Sequence, residues 1–254
     1  MPTPPKLSAV IVGGVVVLAV VSAFVLVVLA PHPPVAPSST PTDAASADWA
    51  QPGPAPVVAA EPHQAIQTKV DADWAEQTAA ATGIPLQAVV AYAGAALYKE
   101  RQMPECGISW STLAGVGAIE SDHGRYGDSE LDENGTAKPG IFGIALDGGD
   151  TAVVTDSDDG KIDGDPDHDR AVGPMQLIPQ TWRNWHVDAN GDGDENPQNI
   201  YDAVLASANY LCRSSGAMDT EAGWRAAISA YNSNDSYLLN VAAAATSYNA
   251  AATG

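Results

Sequence analysis

Residues 109–124 read SWSTLAGVGAIESDHG, from Ser109 to Gly124. Trp110, Leu113, Val116 or Gly117, and Glu120 recur at three- and four-residue spacing, so the period predicts a helix from Ser109 to about Ser121. Glu120 then lies on the apolar stripe, close to the helix end. A carboxyl in that position is partly desolvated, which disfavours its charged form and raises its pKa. Such a group can stay protonated near neutral pH and give a proton to a leaving oxygen. Gly115 and Gly117 remove side chains from the same helix and allow another segment, or a substrate, to come close.

On either side of this segment the pattern stays helical. Ile66, Val70, Trp74 and Thr78 share one helical face, and Gly83-Ile84-Pro85 breaks it, with Pro85 suited to the start of the next helix. Val89, Val90, Tyr92, Ala93 and Leu97 make a second stripe. Helical signals return at 179–185, 200–213, 221–231 and 237–245, after a long Gly/Asp-rich stretch from Asp122 to Arg170. Strand signals are confined to 141–146 and 152–155, at most a small hairpin. Trp110, Trp182, Trp185 and Trp224 fall at helical positions and read as mostly core. His123, His168 and His186 lack zinc spacing and read as surface residues. The class is mainly α, with long Asp/Gly-rich loops.

The formal net charge is -20, with a sequence pI near 4.2. That surface repels nucleic acid and gives no pull toward anionic lipid, so nucleic acid is excluded as a partner. Leu7 to Ala30 is an unbroken apolar and small-residue run. At helical rise it reaches about 36 Å, enough to span a bilayer and longer than the roughly 7–15-residue core of a cleavable signal. Residues 1–30 therefore read as an uncleaved single-pass anchor, with a signal peptide cut near Ala30 as the alternative. Residues 31–63 are rich in Pro, Ala, Ser and Thr and read as a linker. Residues 64–248 read as the folded domain and 249–254 as a flexible tail. The domain would lie outside the cytoplasm, on the cell-wall side. An exported chain with two cysteines, Cys106 and Cys212, suits one disulfide.

Three segments occur in order: Ala118-Ile119-Glu120-Ser121-Asp122-His123-Gly124, then 171–179 (AVGPMQLIP), then Ala230-Tyr231-Asn232. In that order and at those separations they resemble the lytic transglycosylases of the lysozyme-like superfamily, in particular the membrane-bound lytic transglycosylase B type of actinobacteria. The resemblance covers roughly residues 80–240. It implies a lysozyme-like helical domain of the soluble lytic transglycosylase type. It also implies cleavage of the MurNAc-GlcNAc β-1,4 bond of peptidoglycan with formation of 1,6-anhydro-MurNAc. Glu120 would be the catalytic acid, and Ser121, Gln176, Tyr231 and Asn232 would line the sugar cleft. No cofactor is implied for catalysis. Two other readings remain open from sequence: a lysozyme-type muramidase on the same fold, and a non-catalytic, calcium-stabilised wall-binding protein.

Asp188-Ala189-Asn190-Gly191-Asp192-Gly193 carries oxygen side chains at positions 1, 3 and 5 and glycine at 6, the front half of a calcium loop. Position 12 is Asn199 where Glu is expected. The family resemblance implies a longer loop closed by Asp202, with ligands Asp188, Asn190, Asp192, the Asp194 carbonyl and Asp202 around one structural Ca2+. A further acidic run, Asp156 to Asp165, looks calcium-like but lacks a closing ligand, and reads as a self-turning loop before it reads as a second ion site.

Overall fold

The computed structural model describes residues 49–58, 65–149 and 151–253. The proposed anchor at Leu7–Ala30 and most of the linker lie outside the described residues. Among the described residues no helix is long and apolar enough to cross a membrane.

Among the described residues seven α-helices form the body: α1 (Ala72–Thr82), α2 (Leu86–Gln102), α3 (Trp110–Ser121), α4 (Pro179–Trp185), α5 (Ile200–Ser215), α6 (Glu221–Tyr231) and α7 (Asp235–Thr253). The stripe from Ile66 to Thr78 is not one helix. Asp71 interrupts it by accepting from the Trp74 N–H as the N-cap of α1, while Ile66 sits in a preceding 3-10 turn. Gly83 ends α1 at φ 73°, and Pro85 caps α2 as its composition predicts. Ser109 caps α3 by accepting from the Thr112 N–H.

α2 and α3 form the centre. In α2 every residue from Ala91 to Leu97 is buried, and in α3 every residue from Trp110 to Gly117. A helix apolar all round has to be enclosed on all sides. The two glycines of α3 make that enclosure possible. A Cβ at Gly115 would stand 2.8 Å from the Val241 carbonyl of α7, and one at Gly117 would stand 2.0 Å from the Tyr92 hydroxyl of α2. Trp224 of α6 donates its indole N–H to Thr112 Oγ1 at 3.1 Å, and Trp74 meets Trp110 edge-on at 5.7 Å. Trp110, Trp182 and Trp224 are core residues, while Trp185 is partly buried against that core.

Two small antiparallel sheets lie between α3 and α4. β1 (Glu130–Leu131) pairs with β2 (Ala137–Lys138), and β3 (Phe142–Ala145) pairs with β4 (Arg170–Val172). The segment 141–146 thus finds its main partner at 170–172. Its pairing with 152–155 is reduced to the Asp147–Val153 bridge and the Val154 N–H on the Leu146 carbonyl. The intervening acidic residues turn the chain back on itself by accepting its own amides.

Both ends of the domain extend beyond the boundaries read from composition. Residues 49–58 pack on the domain: Ala50 is buried, Asp71 N–H donates to the Val57 carbonyl, and Val58 bridges Val70. Residues 249–253 of the expected tail are instead the end of α7, where Asn249 Nδ2 donates to the Gln51 carbonyl. Each segment gives the other a packing partner, which neither composition reveals alone. His123 also departs from its surface reading. It is 1% exposed, with Nδ1 3.0 Å from the Tyr92 hydroxyl and Nε2 2.8 Å from the Tyr248 hydroxyl. Burial pushes its pKa down to about 4, so the ring is neutral.

Cys106 and Cys212 form the expected disulfide, with Cα atoms 5.3 Å apart. It joins the turn before α3 to the last turn of α5. Replacing both cysteines by alanine is expected to destabilise the domain by about 2–5 kcal/mol, read from denaturant midpoints under non-reducing conditions. An unchanged midpoint would show that packing alone holds these elements.

Candidate active site

Glu120 lies in the last turn of α3, where the buried helix reaches the surface. The helix stops beyond it because Asp122 adopts φ 50° and sends its N–H to the Ala118 carbonyl, while His123 N–H reaches Gly117. Ser121 reinforces that end. Its hydroxyl donates to the Pro174 carbonyl at 2.6 Å and accepts from Gly124 N–H at 2.8 Å. It is 1% exposed, so Ser121 holds α3 against the 173–176 turn and does not reach a ligand directly.

An open cleft of about 450 Å³ runs from Glu120 along the β3–β4 sheet. Tyr126, Phe142 and Ile144 line it as exposed apolar surfaces, with Arg170 and Gln176 as polar groups. Arg170 is fixed by Nε donating to the Gly143 carbonyl at 2.7 Å and by its position over the Phe142 ring. Gln176, at φ 46°, bonds through Nε2 to the Gly173 carbonyl at 2.9 Å, so the structure brings it into one cleft with Glu120. Glu120 is the only carboxylate lining this cleft among the described residues.

The partner of Glu120 is Tyr237, whose hydroxyl donates to Oε1 at 2.5 Å. Burial raises the Glu120 pKa to about 7, and the Tyr237 hydrogen bond works in the opposite direction. Burial, together with the Glu120 charge, keeps the Tyr237 phenol protonated, so it always acts as the donor. Sequence reasoning missed Tyr237. It stands at the start of a helix with no motif around it, and only the packing of α7 on α3 delivers it.

Tyr231 and Asn232 are not among the residues that line this cleft. The Tyr231 hydroxyl donates to the Met175 carbonyl at 2.6 Å and accepts from Ser207 Oγ at 3.0 Å. It feels the Glu120 charge without bonding to it. Its evident work is to tie α6 to the 173–176 turn. Asn232 is exposed at the end of α6, with Oδ1 accepting from Asn234 N–H at 3.1 Å.

The loop 188–202 winds around its own acceptors. Asp188 accepts from Gly191, Asp192 and Gly193 amides, Asn190 from Asp192, and Asp192 from Asp194. Asn199 cannot close the loop, because its side chain caps α5 through the Tyr201 N–H. Asp202, in the first turn of α5, is fully buried and turns back into the loop. It accepts from Ala189 N–H at 2.8 Å and Asn196 N–H at 3.0 Å. Burial, with Asp188 nearby, raises its pKa to about 6. Asp188 and Asp202 feel one another's charge, but among the described residues no three acidic side chains of this loop converge on one point, so the structure brings the expected ligands into one loop without gathering them into a cluster.

Residues 170–246, less than a third of the chain, match the family described as the transglycosylase SLT domain. That stretch contains Gln176, the 188–202 loop, Tyr231 and Tyr237, but not Glu120. Among solved structures, the chain resembles the Escherichia coli lytic transglycosylase Slt35 in complex with bulgecin A. The identity is 13% and the TM-score 0.38, covering 72% of this chain and 80% of that one. No curated protein matches the chain significantly.

Tyr237→Phe removes a hydrogen bond that favours the charged carboxylate, so the Glu120 pKa is expected to rise above about 7. Titration of the labelled Glu120 carboxyl by carbon NMR reads this directly. A fall in pKa would refute the assigned role of the phenol.

Proposed function

We propose that this chain is a peptidoglycan lytic transglycosylase with Glu120 as its single acid and base. The observation that carries the reading is Glu120 itself: a carboxyl raised to about 7 by burial, at the edge of an open cleft that offers no second carboxylate among the described residues. The match of residues 170–246 to the transglycosylase SLT domain supports the same class.

In this mechanism protonated Glu120 gives its proton to the glycosidic oxygen as the C1–O bond of N-acetylmuramic acid breaks. The sugar's 2-acetamido group stabilises the cationic centre. The Glu120 carboxylate then takes the proton of the sugar's 6-hydroxyl as that oxygen bonds to C1, closing the 1,6-anhydro ring. The enzyme returns to its protonated state and no water is consumed. The same switch between acid and base roles operates in retaining hydrolases. Tyr237 would hold Oε1 still through both steps. Tyr126, Phe142 and Ile144 offer apolar faces on which sugar rings can lie. In our reading the run Leu7–Ala30 anchors the chain in the membrane, and the Pro-rich segment holds the domain out toward the wall. Mass spectrometry of digested peptidoglycan tests the reaction. Anhydro products, lighter by one water, are expected; hydrated reducing ends would make the enzyme a muramidase.

Glu120→Gln is expected to lower lysis by at least about 10²–10⁴-fold, because the amide cannot donate the proton. It should also alter stability in a defined direction. The folded-state pKa is raised, so the stability linked to Glu120 protonation is fully present below the unfolded pKa of about 4.3. It is lost as pH rises through about 7. The amide never ionises, so above that pH the variant should exceed the parent by about 3–4 kcal/mol. Melting at pH 5 and pH 8 reads the difference. An active variant would remove Glu120 from the mechanism, and a pH-independent stability gap would contradict its raised pKa.

The loop 188–202 is proposed to hold one structural calcium through Asp188, Asn190, Asp192, the Asp194 carbonyl and Asp202. Extracellular calcium modules work at dissociation constants of about 10⁻⁴–10⁻³ M. At about ten times the dissociation constant the ion adds roughly 1.4 kcal/mol. Asp202→Asn is expected to reduce the calcium-dependent rise in melting temperature. An undiminished rise would exclude Asp202 as a ligand.

A further inference from the structure

The acidic run Asp156–Asp165 lacks a closing ligand in sequence, and the fold supplies one. One carboxylate oxygen from each of Asp156, Asp158 and Asp169 lies within 4.8 Å of the others. Asp169 is fully buried and Asp158 is 7% exposed. Asp169 accepts from the Ser157 N–H and hydroxyl, both at 2.8 Å. Asp156 accepts from Asp158, Asp159 and Gly160 amides. Asp158 Oδ2 accepts from Ile162 N–H at 2.8 Å. Asp158 Oδ1, by contrast, is buried and has no hydrogen-bond partner. A buried carboxylate oxygen without a partner is costly, and two more carboxylates beside it add repulsion.

Nearby basic side chains are engaged elsewhere. Lys161 pairs with Asp159 at 2.9 Å, Arg170 donates through Nε to the Gly143 carbonyl, and Arg183 donates to the Ser157 carbonyl. The amides of the loop orient these carboxylates, yet no N–H or hydroxyl donor reaches Asp158 Oδ1, and the neighbouring Asp156 carboxyl could bond to Asp158 only if one of the two held a proton. We propose that Asp156, Asp158 and Asp169 hold a divalent cation of the calcium class, with Asp158 Oδ1 as its inward ligand. The donors are all oxygen, which selects a hard ion over zinc or copper. Calcium accepts irregular sets of six to eight oxygens, so water can complete the shell on the Asp156 side, where the loop is half-exposed. The ion would also fix Asp169, the residue before the Arg170 that lines the cleft.

The test is a calcium titration by calorimetry on the full chain in detergent after chelator treatment, alongside Asp158→Asn and Asp192→Asn. Asp192→Asn weakens only the 188–202 loop, so it should still bind one calcium at the cluster. Asp158→Asn should bind one equivalent fewer than the parent, or bind that equivalent at least tenfold more weakly. If Asp158→Asn does not fold, the Asp192→Asn count still decides, with Asp156→Asn on the rim as the second probe. Asp192→Asn without any bound calcium would overturn the proposal. So would an Asp158→Asn protein that binds as much calcium as the parent with equal affinity, which would leave a buried proton as the group that neutralises the cluster.

Discussion

The site depends on keeping one carboxyl out of bulk water at the end of a helix that is itself enclosed. α3 can be enclosed because Gly115 and Gly117 let α7 and Tyr92 approach to distances that a side chain would forbid. That approach has two consequences for Glu120. It removes water, which raises the carboxyl's pKa, and it brings Tyr237 into hydrogen-bond range, which limits the rise. The balance of the two sets the proton affinity near neutrality, which suits the acid and base roles proposed for this carboxyl.

The polar framework behind α3 is organised for the same end. Ser121 and Tyr231 bind the 173–176 turn through the Pro174 and Met175 carbonyls, and Ser207 joins them through the Tyr231 hydroxyl. These bonds join α3, α5 and α6 to the segment that carries Gln176. Residues whose types suit sugar recognition are therefore used to hold the wall of the cleft. His123 plays a similar part, bridging Tyr92 and Tyr248 as a neutral ring.

The acidic loops follow a different logic. A chain with a formal charge of -20 cannot pair its carboxylates with its few basic groups, so many of them accept backbone amides instead. Each such bond turns the chain and stabilises a negative charge at once. The device works at a surface. It does less where the fold carries carboxylates inward, as at Asp158 and Asp169, because an amide neutralises only part of a charge that water no longer screens.

Local chemistry made much of this protein readable. The break at Gly83, the start of α3 at Ser109 and the spacing along that helix follow from residues a few positions apart, so the sequence states them directly. The helical class and the place of Glu120 were legible in that way, and the pairing of Cys106 with Cys212 followed from their being the only two cysteines of the sequence. What the sequence leaves undetermined depends on contacts distant in the chain. Tyr237 meets Glu120 across more than a hundred residues, residues 49–58 meet the end of α7 through Gln51 and Asn249, and Asp169, beside β4, reaches Asp156 and Asp158 from the far end of their loop. Desolvation and juxtaposition belong to the packed core, and no periodicity along a single chain encodes them.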